Sequence, residues 1–174
     1  MSPDPEKAKE LVGSSSPEVS IAYPAAQYTN IEEVAQAMGG QLEEAGIKVK
    51  YNPLDYGTLV KEILGRQLDG IYLLGGVPNV AVPDFFASAY IKSESITDNC
   101  ADPATDEMVS EALQQDSPEA SQPIYDELNK IVVVDKHCFV PLYFQIYNYG
   151  TVPGVDGVVY SPLNAWDFSK TTVG

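Results

Sequence analysis

Few side chains in this sequence have the type and spacing that chemistry requires. His137 is the one histidine and sits beside Cys138, while the second cysteine, Cys100, lies well upstream. A thiolate–imidazole couple needs its two groups face to face, and neighbours on a strand point to opposite faces, so His137 and Cys138 are not expected to form one. One imidazole and two cysteines outside a Cys-x-x-Cys spacing do not make a four-ligand zinc site. The cysteines are either two small core residues or a disulfide that closes a long loop, and their spacing leaves both readings open. Glu32-Glu33 and Glu43-Glu44 are carboxylate pairs of a kind that could move protons, but a helical period puts them on a solvated face. Residues 98–107 are acidic yet lack the ligand spacing and central glycine of a calcium loop. The phosphate loop, the dinucleotide fingerprint, His-Glu-x-x-His and Gly-x-Ser-x-Gly are all missing from the sequence. No catalytic residue, metal site or cofactor is expected.

A binding pattern is easier to find. Two apolar runs, one ending at Tyr23-Pro24 and one at Leu74-Gly75-Gly76, are each followed by residues rich in Pro, Gly, Tyr, Asn and Gln. If both runs are strands and lie parallel, these exits share the carboxyl edge of the sheet, where open α/β sheets hold ligands. Gly75 and Gly76 would admit a ligand close to the backbone; Tyr23, Gln27, Tyr28 and Asn79 would offer flat faces and polar tips.

The elements needed to position such an edge follow from periodicity. Asp4-Pro5 opens a short helix that stops at Gly13. Residues 18–23 alternate as a strand. From Asn30, a candidate cap, Ile31, Val34, Ala35, Met38, Leu42 and Ala45 recur on one helical face until Gly46. Residues 47–51 read as a strand and residues 56–64 as a helix, with Tyr56, Leu59, Val60, Ile63 and Leu64 on its core side. Residues 70–74 are nearly all apolar, as expected of the middle strand of a sheet covered on both faces. A short helix is expected over residues 83–90. Another starts at Asp102-Pro103 with Met108, Val109, Ala112 and Leu113 inward, and one runs from Ser117 to about Val134 on Ile124, Leu128, Ile131 and Val132. In that last helix Pro123 forces a kink or a restart capped by Gln122. Residues 139–149 and 155–160 read as strands joined by a turn at Val152-Pro153-Gly154. The alternation predicts an α/β domain with a mixed β-sheet flanked by helices, residues 1–174 forming one domain.

The 174 residues carry 25 acidic against 10 basic side chains, a net charge of −15. Such a field repels phosphate backbones and anionic lipid heads, which argues against nucleic-acid and membrane-surface partners. No apolar run approaches the ~18 residues that span a bilayer, and Met1-Ser2-Pro3-Asp4-Pro5 lacks the basic start and apolar centre of a signal peptide.

The order of segments resembles one known family. Asp4-Pro5-Glu6-Lys7-Ala8-Lys9-Glu10-Leu11, the helix end Gln41-Leu42-Glu43-Glu44-Ala45-Gly46, the run into Leu74-Gly75-Gly76, Asn99-Cys100-Ala101-Asp102-Pro103, Ile124-Tyr125-Asp126-Glu127-Leu128, Phe139-Val140-Pro141-Leu142-Tyr143, Val155-Asp156-Gly157-Val158 and Ser161-Pro162-Leu163 occur in the order found in the C-terminal lobe of extracellular solute-binding proteins of ABC importers, in the oligopeptide, dipeptide and nickel-binding class. The resemblance implies one lobe of the periplasmic-binding-protein-like II fold, cut from a two-lobed parent, with solute enclosed between the lobes by hinge closure. By position it assigns ligand binding to Tyr23, Pro24, Gln27, Tyr28, Leu74, Gly75, Gly76, Val77, Pro78 and Asn79. The implied partners are a small-molecule or oligopeptide solute, an ABC permease acting with the full-length parent, and a missing N-terminal lobe; the fragment itself is expected to be a monomer. The parent would be exported to the extracellular face of the membrane or the periplasm, lipid-anchored or free, and export favours a Cys100–Cys138 disulfide.

One departure bears on the solute. Peptide-binding relatives often carry an aspartate past the central strand, commonly after a Trp-containing segment, that pairs with the ligand's free amino group. Here the matching stretch is Gly75-Gly76-Val77-Pro78-Asn79, so a sugar, a blocked peptide or another polar solute stays open beside a free peptide. Two other classes compete: a small stand-alone α/β enzyme using acidic loop residues, and a structural module that docks a partner through a bare sheet edge.

Overall fold

A computed structural model of the chain describes residues 4–76, 83–97, 99–146, 148–161 and 165–174. These fall in two compact units, Met1–Gly76 and Val77–Gly174.

In the first unit, α1 (Pro5–Val12), β1 (Glu18–Pro24), α2 (Ile31–Glu44), β2 (Lys48–Leu54), α3 (Tyr56–Leu64) and β3 (Ile71–Tyr72) follow in order. The strands form one parallel sheet in the order β2-β1-β3. The two-residue period of a strand then sorts the core. Ile21 and Tyr23 of β1, Ile71 and Leu73 pack with Ile31, Ala35 and Met38 of α2. Ala22, Leu54, Tyr72 and Leu74 pack with Leu59 and Ile63 of α3. The centre of this sheet is β1, whereas residues 70–74 were expected there; β3 borders β1 alone among the described strands. Both faces of β3 are nonetheless covered, which accounts for its unbroken apolar run.

Helix ends in this unit are built locally. Asp4 accepts a hydrogen bond from the Lys7 N–H at 2.9 Å, and Asp55 caps α3 through the Thr58 N–H at 2.9 Å. The expected cap of α2 is not formed, because Asn30 takes a left-handed conformation (φ 58°) and its side chain makes no cap bond. At the other end of α2, the Ile47 N–H meets the Leu42 carbonyl and the Gly46 N–H meets that of Glu43, a Schellman motif. On α3 the expected core side narrows to Leu59 and Ile63, with Tyr56 and Leu64 exposed.

The second unit begins with α4 (Pro83–Phe86), which continues as a π turn over Ala87–Ile91. α5 (Pro103–Ala112) and α6 (Pro118–Lys130) follow, the latter running into a π turn over Ile131–Asp135. Their core joins Ala87, Ile91, Val109, Ala112, Tyr125, Leu128 and Val132. Leu113, expected inward, lies past the end of α5 and is exposed. Pro123 causes no restart: α6 is capped by Ser117, not Gln122. The N–H that Pro123 lacks would have met the Glu119 carbonyl, and both residues are exposed to water. The Tyr125 hydroxyl donates to the Asp84 carboxylate. Burial, then that hydrogen bond and the nearby negative charge, hold the phenol well above its usual range.

Cys100 and Cys138 form a disulfide, with Cα atoms 5.4 Å apart. The bridge ties the segment before α5 to the segment after α6, and the Lys136–Asp102 ion pair lies alongside it. Residues 139–149 were expected as a strand, but their described positions are neither helix nor strand. The expected strand over residues 155–160 divides in two. β4 (Val155–Asp156) pairs antiparallel with β7 (Thr172–Val173), and β5 (Val159–Ser161) with β6 (Ala165–Asp167). The fold is therefore mixed α/β, with parallel and antiparallel pairing in separate small sheets.

Candidate functional site

Because β1, β2 and β3 run parallel, their carboxyl ends come out on one edge of the first unit. The chain leaves β1 through residues 25–30 and β3 through Leu73 to Gly76. These are the two exits that hold the site residues expected from the sequence. The Ala25 N–H donates to the Leu54 carbonyl at 2.8 Å and the Leu73 N–H to the Ala22 carbonyl at 2.8 Å, so both exits are fastened to the sheet.

One contact joins them directly. The Gly75 N–H donates to Tyr28 Oη at 3.0 Å, and the Tyr28 hydroxyl donates back to the Gly75 carbonyl at 3.3 Å. A Cβ at position 75 would stand 2.9 Å from the Tyr28 ring, so the ring can lie against the backbone only because the residue is glycine. Tyr28 thus bridges the first exit to the third.

The expected site residues divide by burial. Gln27, Gly75 and Gly76 are exposed and Tyr28 is half-buried, so these four present the surface of the edge. Tyr23 and Pro24 are buried, and Leu74 packs into the α3-side core, so they support the edge from beneath. Burial, with smaller contributions from Glu32 and Tyr51, keeps the Tyr23 phenol protonated to higher pH than usual. Val77, Pro78 and Asn79 lie outside the described residues.

Sequence reasoning missed the third contributor, the exit of β2. Pro24 and Leu54 are register partners, which brings Asp55 and Tyr56 to the same edge. The available signal was the strand over residues 47–51 followed at once by a helix; what it lacked was the sheet order. Asp55 is committed to capping α3, and its hydrogen bonds from the Thr58 side chain and backbone hold its carboxyl below the usual range.

The histidine and the cysteines lie in the second unit. Cys138 is bound in the disulfide and offers no thiolate. His137 is exposed, with Nδ1 3.2 Å from the Val133 carbonyl oxygen, and residues 137 and 138 are not in a strand. Among the described residues no three His, Cys, Asp or Glu side chains gather into a metal-holding group. No described helix is long and apolar enough to cross a membrane.

No protein-family model matches the chain. A search of curated proteins finds "Probable di/tripeptide-binding protein 5" of Pseudomonas aeruginosa (strain UCBPP-PA14), 25% identical over 178 residues, covering 98% of this chain and 34% of that protein. Among solved structures, a dipeptide binding protein from Pseudoalteromonas sp. SM9913 in complex with Met-Leu superposes with a TM-score of 0.79 at 20% identity, covering 98% of this chain and 36% of its own. The substrate-binding domain of an oligopeptide ABC transporter from Bacillus anthracis gives 0.77 at 20% identity, covering 99% and 35%. A periplasmic binding protein from Helicobacter pylori in complex with peptide STSA gives 0.69 at 22% identity, covering 98% and 34%.

The fold is that of periplasmic-binding-protein type II domains. By sequence the chain is similar to that probable di/tripeptide-binding protein, and it spans about a third of its length.

Proposed function

We propose that residues 1–174 are one lobe of a longer, exported solute-binding protein, and that the carboxyl edge of the parallel sheet is one wall of its ligand cleft. Gln27, Tyr28, Gly75 and Gly76 form the exposed wall, with Tyr23, Pro24 and Leu74 supporting it. The parent captures a peptide or small polar solute by closure of two lobes and hands it to an ABC permease, without covalent chemistry and without a cofactor. It acts as a monomer at the extracellular face of the membrane or in the periplasm. The Tyr28–Gly75 bridge carries this reading, because it makes two chain exits, far apart in sequence, into one surface. The relatives' names favour peptide as solute, and coverage of about a third of their length favours a lobe.

Half a cleft buries half a ligand, so the 174-residue chain alone should bind di- and tripeptides weakly or not at all, while the parent binds them. Titration calorimetry on both proteins tests this. Micromolar binding by the chain alone would overturn the half-cleft reading, and absence of binding by the parent would overturn the peptide reading. Because the matching stretch carries no aspartate, the parent should also bind a dipeptide and its acetylated form within about tenfold of each other; a much larger preference for the free amine would place an acidic partner elsewhere in the cleft.

A further inference from the structure

The β1–β3 ladder ends where β1 runs out of donors. In a parallel pair a residue donates to one position of the neighbouring strand and accepts from the position two further on. Leu73 donates to the Ala22 carbonyl at 2.8 Å, so its own carbonyl would accept from position 24, where Pro24 has no N–H. Past that rung the chain turns away from β3: the Ala25 N–H goes across to Leu54 of β2, and the Pro24 carbonyl accepts from the Gln27 N–H at 3.2 Å. Gly75, two residues beyond Leu73, is thus left with a donor and an acceptor that the β1 backbone does not meet. Tyr28 Oη takes both, at 3.0 Å and 3.3 Å. Its ring packs on the core that holds Ile21, Ile31 and Leu73, which carries the hydroxyl to this position, while Gly75 itself is exposed.

We infer that Tyr28 is an internal competitor of the solute and so a specificity-determining residue. Its hydroxyl occupies a strand-like donor–acceptor pair at the cleft wall, the kind of pair that an extended peptide takes when it adds to a sheet edge. A solute that offers an amide N–H and carbonyl must displace Tyr28 to reach Gly75, and it gains only the difference between two similar sets of hydrogen bonds. A solute without such a pair leaves Tyr28 where it is. Tyr28 therefore lowers the affinity advantage of peptide backbone over other polar solutes. The inference rests on the proposed cleft wall and on a peptide as solute.

Two measurements test it. In the 174-residue chain, hydrogen exchange of the Gly75 amide, read by NMR, should speed up at least about tenfold in Tyr28→Phe, which keeps the ring and removes the oxygen. In the parent, Tyr28→Leu keeps an apolar side chain on the core but does not reach Gly75. Calorimetry should show this variant binding trialanine about tenfold more tightly than the unmodified parent, and Tyr28→Phe should shift affinity the same way by less. The gain should shrink to about threefold or below for the analogue in which an ester oxygen replaces the middle amide N–H, because only one of the two bonds then forms. Unchanged Gly75 exchange, or trialanine binding that is unchanged or weaker in both variants, would overturn the inference, since Tyr28 would then be a support or a solute contact. An equal gain for the ester analogue would overturn it as well. The unmodified parent keeps the two readings apart: if it binds no trialanine, the peptide reading falls and the competition with it, whereas equal binding with and without the hydroxyl sinks the competition alone.

Discussion

The two units bury their apolar residues by different means. In Met1–Gly76 each strand has a helix on either side, and the alternation of β1 feeds both layers, so Ile21 and Ala22 are both buried though they point in opposite directions. No covalent bridge closes this unit. Val77–Gly174 instead gathers three helical segments round Val109 and Leu128, bolts their ends with a disulfide, and leaves the side chains of residues 140–146 largely in water. A parallel sheet covered on both faces buries its strands by periodicity alone, whereas the short helices of the second unit are joined at their ends by a covalent tie.

The largest test of this contrast is removal of the bridge. Cys100→Ser with Cys138→Ser frees a 38-residue span, which the chain-entropy model values at about 4 kcal/mol. Denaturant unfolding should show a loss of that order, and hydrogen exchange should speed up in α5 and α6; an unchanged rate there would mean that the helical core holds the second unit unaided. A smaller effect is expected in the first unit from Gly70→Ala. Gly70 has φ 103° and a Cβ there would lie 2.5 Å from the Ser20 carbonyl oxygen, a backbone atom that cannot swing aside. The cost should be about 3 kcal/mol in thermal unfolding, and a loss below about 1 kcal/mol would show that the β1–β3 junction is looser than its hydrogen bonding suggests.

The smallest effect is a pH dependence confined to the sheet unit. The Asp55 carboxyl is held below its ordinary value by Thr58, so its stabilising contribution is complete above the ordinary carboxylate range and is lost as pH falls through the lowered one. Circular dichroism of Asp55→Asn against the unmodified chain should therefore show a helicity difference at neutral pH that disappears in acid. A difference that persists at pH 2 would mean that the asparagine amide, and not the missing charge, disturbs α3.

How far the sequence reached depended on how local the determining forces are. The apolar face of α2 was readable apart from Gly39, because a helix declares its buried side every three or four residues and a sheet face covers it. On α3 only Leu59 and Ile63 are buried, since the width of a buried stripe depends on the neighbour that covers it. The caps at Asp4 and Asp102 were readable from an acid followed by proline, while Asn30 fails as a cap because a backbone turn, unmarked in the residue types, sets its φ. At the candidate site, the two exits and their glycines were identified from residue types. That Tyr28 spans them, and that Tyr23 and Pro24 lie beneath the surface, required the sheet register.

What the sequence determined by itself is the set of helices and strands over residues 4–76, because these follow from residue periodicity within a few turns of chain. Only the tertiary structure decided that β1 and not β3 is the centre of the sheet, that Cys100 meets Cys138, and that residues 139–146 join none of the described sheets. Each of those depends on which distant segment arrives alongside, and a strand's composition is the same whether or not its partner is present.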